Sequence, residues 1–72
     1  MNLPPEPAHW TCDELCRFLS HRFPEYTADV EHFRTAQISG DVFLHLDESH
    51  LTRWGITDTE RKQKFNSLSK HL

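Results

Sequence analysis

Two helix-start signals lie far apart in this 72-residue chain, and they constrain its fold more than any other feature. The segments 11–14 (TCDE) and 57–60 (TDTE) both match the capping box. In that motif a Thr hydroxyl accepts a hydrogen bond from the third helical amide, and a Glu side chain accepts one from the amide of the Thr. Apolar residues at helical spacing follow each box. The sequence therefore predicts one helix from about residue 12 to 21 and a longer helix that opens at the second box.

The chain between the two boxes predicts a second helix. Tyr26, Val30 and Phe33 have the i, i+4, i+7 spacing of one helical face, which extends to about Ala36. Pro24 separates this helix from the first one, because the residue before a proline avoids helical angles. Gly40 then permits a sharp turn, where we expect a Cβ atom to crowd the crossing of helices two and three.

Two short helices are expected next. The run from Val42 to Leu46 is too apolar and too short for a surface helix, so it predicts one buried turn with Leu44 packed against the last helix. Asp47 is expected to cap a fourth helix, and Gly55 stands where a C-terminal glycine belongs.

The last helix completes an all-α prediction. Phe65, Leu68 and Leu72 are expected to form its buried stripe, with the aliphatic stem of Arg61 on the same face. No segment alternates as a strand would. The expected fold is a compact five-helix bundle with a long C-terminal helix. Residues 1–8, which contain three prolines, are expected to be an extended linker, and residues 9–72 to be the domain.

Short motifs follow one another along the chain in an order that is more informative than any one of them. They are WTCDELCRFL at 10–19, FPEY at 23–26, Phe33, ISGDVFLHL at 38–46, DESHL at 47–51, WGIT at 54–57, Arg61 and Lys64. The set resembles the sterile alpha motif (SAM) domain from about residue 9 to the C-terminus. Ser39-Gly40-Asp41 with Leu46-Asp47 is similar to SAM domains of fungal polarity and signalling scaffolds. One departure is Glu60, which stands near the start of the last helix where family members often have glycine.

The resemblance implies a protein–protein interaction module that joins another SAM domain, either its own copy or a different one, through two surfaces. Charge supports this geometry, because the net charge of −3 divides into an acidic centre and a basic end. The mid-loop surface is expected to contain Asp41, Asp47 and Glu48. The end-helix surface is expected to contain Arg53, Trp54, Thr57, Glu60, Arg61 and Lys64. Trp54 fits either a core filler or a partly exposed contact residue.

Other functions are less well supported by the residues. Binding of an RNA hairpin through the basic start of the last helix is the alternative, but Asp58 and Glu60 interrupt the basic residues there. Neither a nucleophile elbow nor a phosphate-binding glycine loop is present, so no enzyme, catalytic residue, small-molecule ligand or cofactor is expected. Cys12 and Cys16 fit a core stripe better than a metal site or a disulfide. We expect no membrane contact and a cytoplasmic or nuclear location, where thiols stay reduced.

Overall fold

The computed structural model describes residues 3–72, which form five α-helices and two 3-10 turns without a strand. The helices are α1 (Cys12–Arg22), α2 (Thr27–Thr35), α3 (Gly40–Leu44), α4 (Glu48–Arg53) and α5 (Thr59–His71). The 3-10 turns are Pro7–His9 and Pro24–Tyr26. The all-α prediction of five helices with a long last helix is confirmed. Within residues 3–72, no helix combines the length and apolar character that crossing a membrane requires.

The first capping box forms as predicted. Thr11 Oγ1 accepts a hydrogen bond of 3.2 Å from the Glu14 amide, and Glu14 Oε1 accepts one of 2.9 Å from the Thr11 amide. These bonds satisfy amides that the first turn of a helix leaves without partners. They fix the start of α1, which buries Leu15, Cys16 and Leu19.

The second capping box was predicted wrongly by one residue. Asp58, and not Thr57, caps α5: its Oδ1 accepts a hydrogen bond of 3.1 Å from the Arg61 amide. Glu60 therefore lies inside the first turn, where it pairs with Lys64 at 3.8 Å instead of closing a box. Asp and Thr are both good N-caps, so a Thr-Asp sequence leaves the choice to the packing of the helix.

The cap of α4 was predicted correctly, although its second member is unusual. Asp47 Oδ1 accepts a hydrogen bond of 3.0 Å from the His50 amide, and His50 Nδ1 accepts one of 3.2 Å from the Asp47 amide. A histidine ring thus takes the place that Glu usually occupies. Gly55 follows α4 with a φ of +98°, a conformation that favours glycine.

Three phenylalanines at the centre hold the helices together. Phe33 of α2 lies edge-to-face against Phe43 of α3 and Phe65 of α5, with centroids 5.8 and 5.1 Å apart, and all three are fully buried. Such aromatic pairs contribute about 0.5–1.5 kcal/mol each beyond the burial of their area. The core therefore depends on contacts between α2, α3 and α5.

Two expectations about burial were wrong. Phe43 has the buried side chain of α3, whereas Leu44 is half-buried and Val42 is exposed. Along α5, Ser69 is buried and donates a hydrogen bond of 2.9 Å to the Phe43 carbonyl, while Leu72 is exposed. α3 has only five residues, and three consecutive ones, Val42, Phe43 and Leu44, are apolar, so there is no periodicity from which to choose its inner face.

Gly40 is required by the N-terminal segment and not, as predicted, by the crossing of α2 and α3. Its amide donates a hydrogen bond of 2.9 Å to the Trp10 carbonyl. A Cβ atom on Gly40 would overlap the carbonyl oxygen of Pro7 and lie 2.9 Å from Trp10 Cβ. The Trp10 indole in turn donates to the Pro4 carbonyl at 2.8 Å, and Leu3 packs against the core. The domain boundary at residue 9 stays a prediction.

Candidate interaction surfaces

Three exposed carboxylates lie along α3 and the start of α4. Asp41 is in the first turn of α3, Asp47 caps α4, and Glu48 is the first residue of α4. We call Asp41, Asp47 and Glu48 the acidic face. The exposed Val42 follows Asp41 in α3, with 42% of its surface accessible. All three sequence-predicted mid-loop residues are exposed; that they form one binding surface stays a prediction.

The ionisation of Asp47 is favoured by its role as a cap. Its carboxylate accepts a hydrogen bond of 2.6 Å from the Ser49 hydroxyl and one from the His50 amide. These donors stabilise the charged form and lower the pKa of Asp47 below its usual value, the Ser49 hydroxyl having the largest effect. Asp47 therefore remains an anion under mildly acidic conditions.

A histidine accompanies each aspartate of the acidic face. His45 Nδ1 lies 2.9 Å from the Asp41 carbonyl oxygen and 3.9 Å from Asp41 Oδ1. His50 Nδ1 lies 3.6 Å from Asp47 Oδ1. Their spacings of four and three residues put both pairs within one helical turn, which is close enough for ion pairs when the imidazoles are protonated.

The second surface begins where α4 ends. We call the six predicted end-helix residues, Arg53, Trp54, Thr57, Glu60, Arg61 and Lys64, the basic face. Arg53, Thr57, Glu60 and Lys64 are exposed, and Trp54 and Arg61 are partly buried. Lys64 lies 5.4 Å from the centre of the Tyr26 ring. Hydrogen bonding to the Tyr26 hydroxyl raises the pKa of Lys64, so this side chain stays charged.

Arg61 has a position that the sequence did not indicate. Its Nη1 donates a hydrogen bond of 3.0 Å to Asp29 Oδ2, and its guanidinium lies 4.9 Å from the centre of the Tyr26 ring. The Asp29 side chain is 7% exposed, whereas that of Arg61 is 40% exposed. Arg61 therefore joins α5 to α2 with its charged end, and only part of the side chain faces solvent.

Asp29 was not predicted as a site residue, although it holds the Arg61 side chain in place. One signal could have found it. Asp29 lies three residues after Tyr26 and one before Val30, on the face of α2 that the apolar spacing predicts to be buried. A carboxylate on a buried face requires a charged or hydrogen-bonding partner, and Arg61 is that partner.

Trp54 combines both expected roles. Its ring lies edge-to-face against the core residue Phe33, with centroids 5.7 Å apart. The His50 ring stacks on it at 5.7 Å with an interplanar angle of 15°. Trp54 is only half-buried in this position, so it fills part of the core while the rest of its ring remains exposed.

The cysteines pack at the interface of α1 and α2. Both are free thiols, with Sγ atoms 4.0 Å apart, and Cys16 is fully buried. Burial, with the neighbouring Cys12 as a smaller cause, raises the pKa of Cys16 to about 12. In residues 3–72, no three His, Cys, Asp or Glu side chains converge as ligands of a metal ion would.

Comparison with known proteins agrees with the fold. The chain is similar to a crystal structure of the Scm-SAM and Sfmbt-SAM heterodimer, with a TM-score of 0.76, 21% identity, and coverage of 92% of this chain and 91% of that chain. At this identity the likeness establishes the fold. No curated protein matches the sequence. The sequence model of the SAM domain (sterile alpha motif) matches residues 7–72, so the chain belongs to the SAM domain family.

Proposed function

We propose that this domain is a protein–protein interaction module that joins a second SAM domain, identical or different, in a head-to-tail arrangement. The acidic face of one domain would contact the basic face of the other. The observation that carries the proposal is the separation of these two charged surfaces. Glu48 begins α4 and Arg53 ends it, so opposite charges lie at the two ends of a helix about 9 Å long.

This arrangement supports head-to-tail contact, because the two faces of a single molecule cannot meet each other. Separate surfaces of opposite charge on one molecule favour heterologous contacts, which form chains or rings between copies and pairs between different domains. The similar SAM heterodimer supports a second SAM domain as the class of partner. A signalling or scaffold protein in the cytoplasm would suit such a module, which needs no catalytic group.

The contacts can be ranked by their geometry. Arg53 is exposed and, within residues 3–72, has no ion-pair partner, so it is the cation most available to a partner. Lys64 already forms an ion pair with Glu60, and Arg61 already forms one with Asp29. Val42 and Trp54 would supply apolar area to the two faces. RNA binding is weaker as an alternative, because the guanidinium of Arg61 is already occupied and Asp58 and Glu60 are exposed nearby.

Charge reversal tests the proposal. Asp41→Lys with Glu48→Lys reverses the acidic face and keeps Asp47, which the α4 cap requires. Arg53→Glu with Lys64→Glu reverses the basic face and keeps Arg61. Each exposed charge pair contributes about 0.2–1 kcal/mol, so either double variant is expected to weaken association by about tenfold in sedimentation equilibrium. A mixture of the two variants should recover association, because it contains one intact face of each kind.

A matched control separates the faces from net charge. Arg17→Glu with Lys70→Glu changes the net charge as much as the basic-face variant does, but it lies outside both faces. It should leave association unchanged. If all three variants behave like the parent domain, or if the domain binds a hairpin RNA more tightly than any SAM domain, the head-to-tail proposal is wrong.

A further inference from the structure

Two histidines lie beside the aspartates of the acidic face. His45 Nδ1 lies 3.9 Å from Asp41 Oδ1, and His50 Nδ1 lies 3.6 Å from Asp47 Oδ1. The side chain of His45 is 79% exposed and that of His50 is 40% exposed. Histidine is the side chain whose ordinary pKa places its change of charge between pH 5 and 8. Two of the three carboxylates of this face therefore have a histidine ring beside them.

The surroundings of His45 suit an imidazolium without rearrangement. Its Nδ1 lies 2.9 Å from the Asp41 carbonyl oxygen, so this nitrogen already needs a proton to donate. Protonation of the other ring nitrogen keeps that hydrogen bond and adds attraction to the Asp41 carboxylate. His45 also follows the last residue of α3, a position at which a helix favours positive charge.

Protonation of His50 would require its Nδ1 atom to change hydrogen-bond partner. In the neutral ring, Nδ1 accepts the hydrogen bond from the Asp47 amide. A protonated Nδ1 cannot accept, so it would turn from the amide to Asp47 Oδ1, which is already within 3.6 Å. The stacked Trp54 ring offers its electron-rich face to the cation.

The elements that pack against α3 and α4 carry further charged and titratable groups. The N-terminal 3-10 turn, α1 and α5 pack against α3, and α5 also packs against α4. On those elements and on α4 the other charged or titratable groups are His9, Cys12, Asp13, Glu14, Cys16, Arg17, His21, Arg22, Glu48, Arg53, Glu60, Arg61, Lys62, Lys64, Lys70 and His71. Among residues 3–72, none of them forms an ion pair with His45 or His50.

We propose that His45 and His50 make the association of this domain pH-dependent. At neutral pH the acidic face carries three negative charges and binds the basic face of a second SAM domain. In mildly acidic solution the two imidazolium rings pair with Asp41 and Asp47, and only Glu48 keeps an uncompensated charge. Association then weakens. This inference rests on the proposed head-to-tail function, since it concerns the regulation of the same surface.

The complementary variants make the effect attributable to one face. A domain with Arg53→Glu and Lys64→Glu contributes only its acidic face, and a domain with Asp41→Lys and Glu48→Lys contributes only its basic face. The dissociation constant of this pair is measured by calorimetry at pH 7.5 and 5.5. We expect binding to be about two- to tenfold weaker at pH 5.5, as the loss of two exposed charge pairs implies.

The histidines are then replaced in one partner at a time. His45→Gln with His50→Gln removes both titrations, and Gln at position 50 can still serve the α4 cap. In the partner that contributes the acidic face, these changes should reduce the pH effect to less than about twofold. In the other partner, the same changes should leave it intact. Circular dichroism at both pH values establishes that every variant is folded.

The two proposals fail in different ways. If the complementary pair does not associate at pH 7.5, the proposed function is wrong and this inference falls with it. Association at pH 7.5 that is equally strong at pH 5.5 overturns the pH inference alone. A pH effect that persists when the acidic-face partner lacks both histidines also overturns it, because the titrating groups must then lie elsewhere.

Discussion

Arg61 and Asp29 form a hydrogen-bonded ion pair of 3.0 Å that ties the start of α5 to α2. The carboxylate is buried, and the guanidinium covers the Tyr26 ring. Removal of the Arg61 guanidinium would leave an unpaired buried charge, which costs more free energy than the pair itself contributes. The pair therefore fixes the position of the basic face relative to α2.

Asp29→Asn and Arg61→Leu should each destabilise the domain. Since Arg61 is partly exposed to solvent, we expect about 1–3 kcal/mol for each, below the range for a fully buried pair. Urea unfolding of the two single variants and the double variant measures the coupling between them. The double variant should lose clearly less than the sum of the single losses. Additive losses would show that the two side chains act independently.

Phe43→Ala should nearly unfold the domain. Phe43 is fully buried against Phe33 and supplies the carbonyl that Ser69 binds. The loss of such a ring costs about 3–5 kcal/mol, which is comparable to the net stability of a domain of this size. Leu44→Ala is the matched control, because Leu44 is half-buried, and we expect it to cost about 1 kcal/mol. Thermal melts followed by circular dichroism would reveal an incorrect register of α3 if Leu44→Ala were the more damaging change.

Gly40→Ala should displace the N-terminal segment. The added methyl group would overlap the Pro7 carbonyl oxygen and crowd Trp10 Cβ. We expect a loss of about 1–3 kcal/mol, as for other overpacked sites. In a Trp54→Phe background, the fluorescence of Trp10 should shift to longer wavelength as its indole becomes more exposed. An unchanged spectrum together with unchanged stability would contradict the packing of residues 7–10 on α3.

Cys16 should be unreactive in the folded domain. Its thiol is fully buried, and that burial raises its pKa to about 12. The thiolate, which is the reactive form, is therefore scarce at pH 8. Titration with a disulfide reagent should detect only the partly exposed Cys12 in the native protein and both thiols in denaturant. Cys12→Ser should abolish the native reaction. Rapid native labelling of Cys16 would mean that α1 and α2 separate readily.

Local interactions are what the sequence by itself determined. The cap of α1 uses Thr11 and Glu14, the cap of α4 uses Asp47, and Gly55 ends α4 with a positive φ. Each depends on groups within a few residues of one another, so their types and spacing are sufficient to predict the bonds. The exposed positions of Asp41, Asp47 and Glu48 also followed from residue type.

Tertiary packing decided the rest. Short helices have too few turns for their apolar pattern to choose an inner face, so the choice of Phe43 over Leu44 was made by packing against Phe33 and by the hydrogen bond from Ser69. Asp29 and Arg61 are separated by 32 positions. Position 40 requires glycine because Pro7 and Trp10 leave no room for a Cβ atom there. Such contacts exist only when distant segments meet, because the free energy of a buried charge or a crowded methyl group depends on which neighbours the fold supplies.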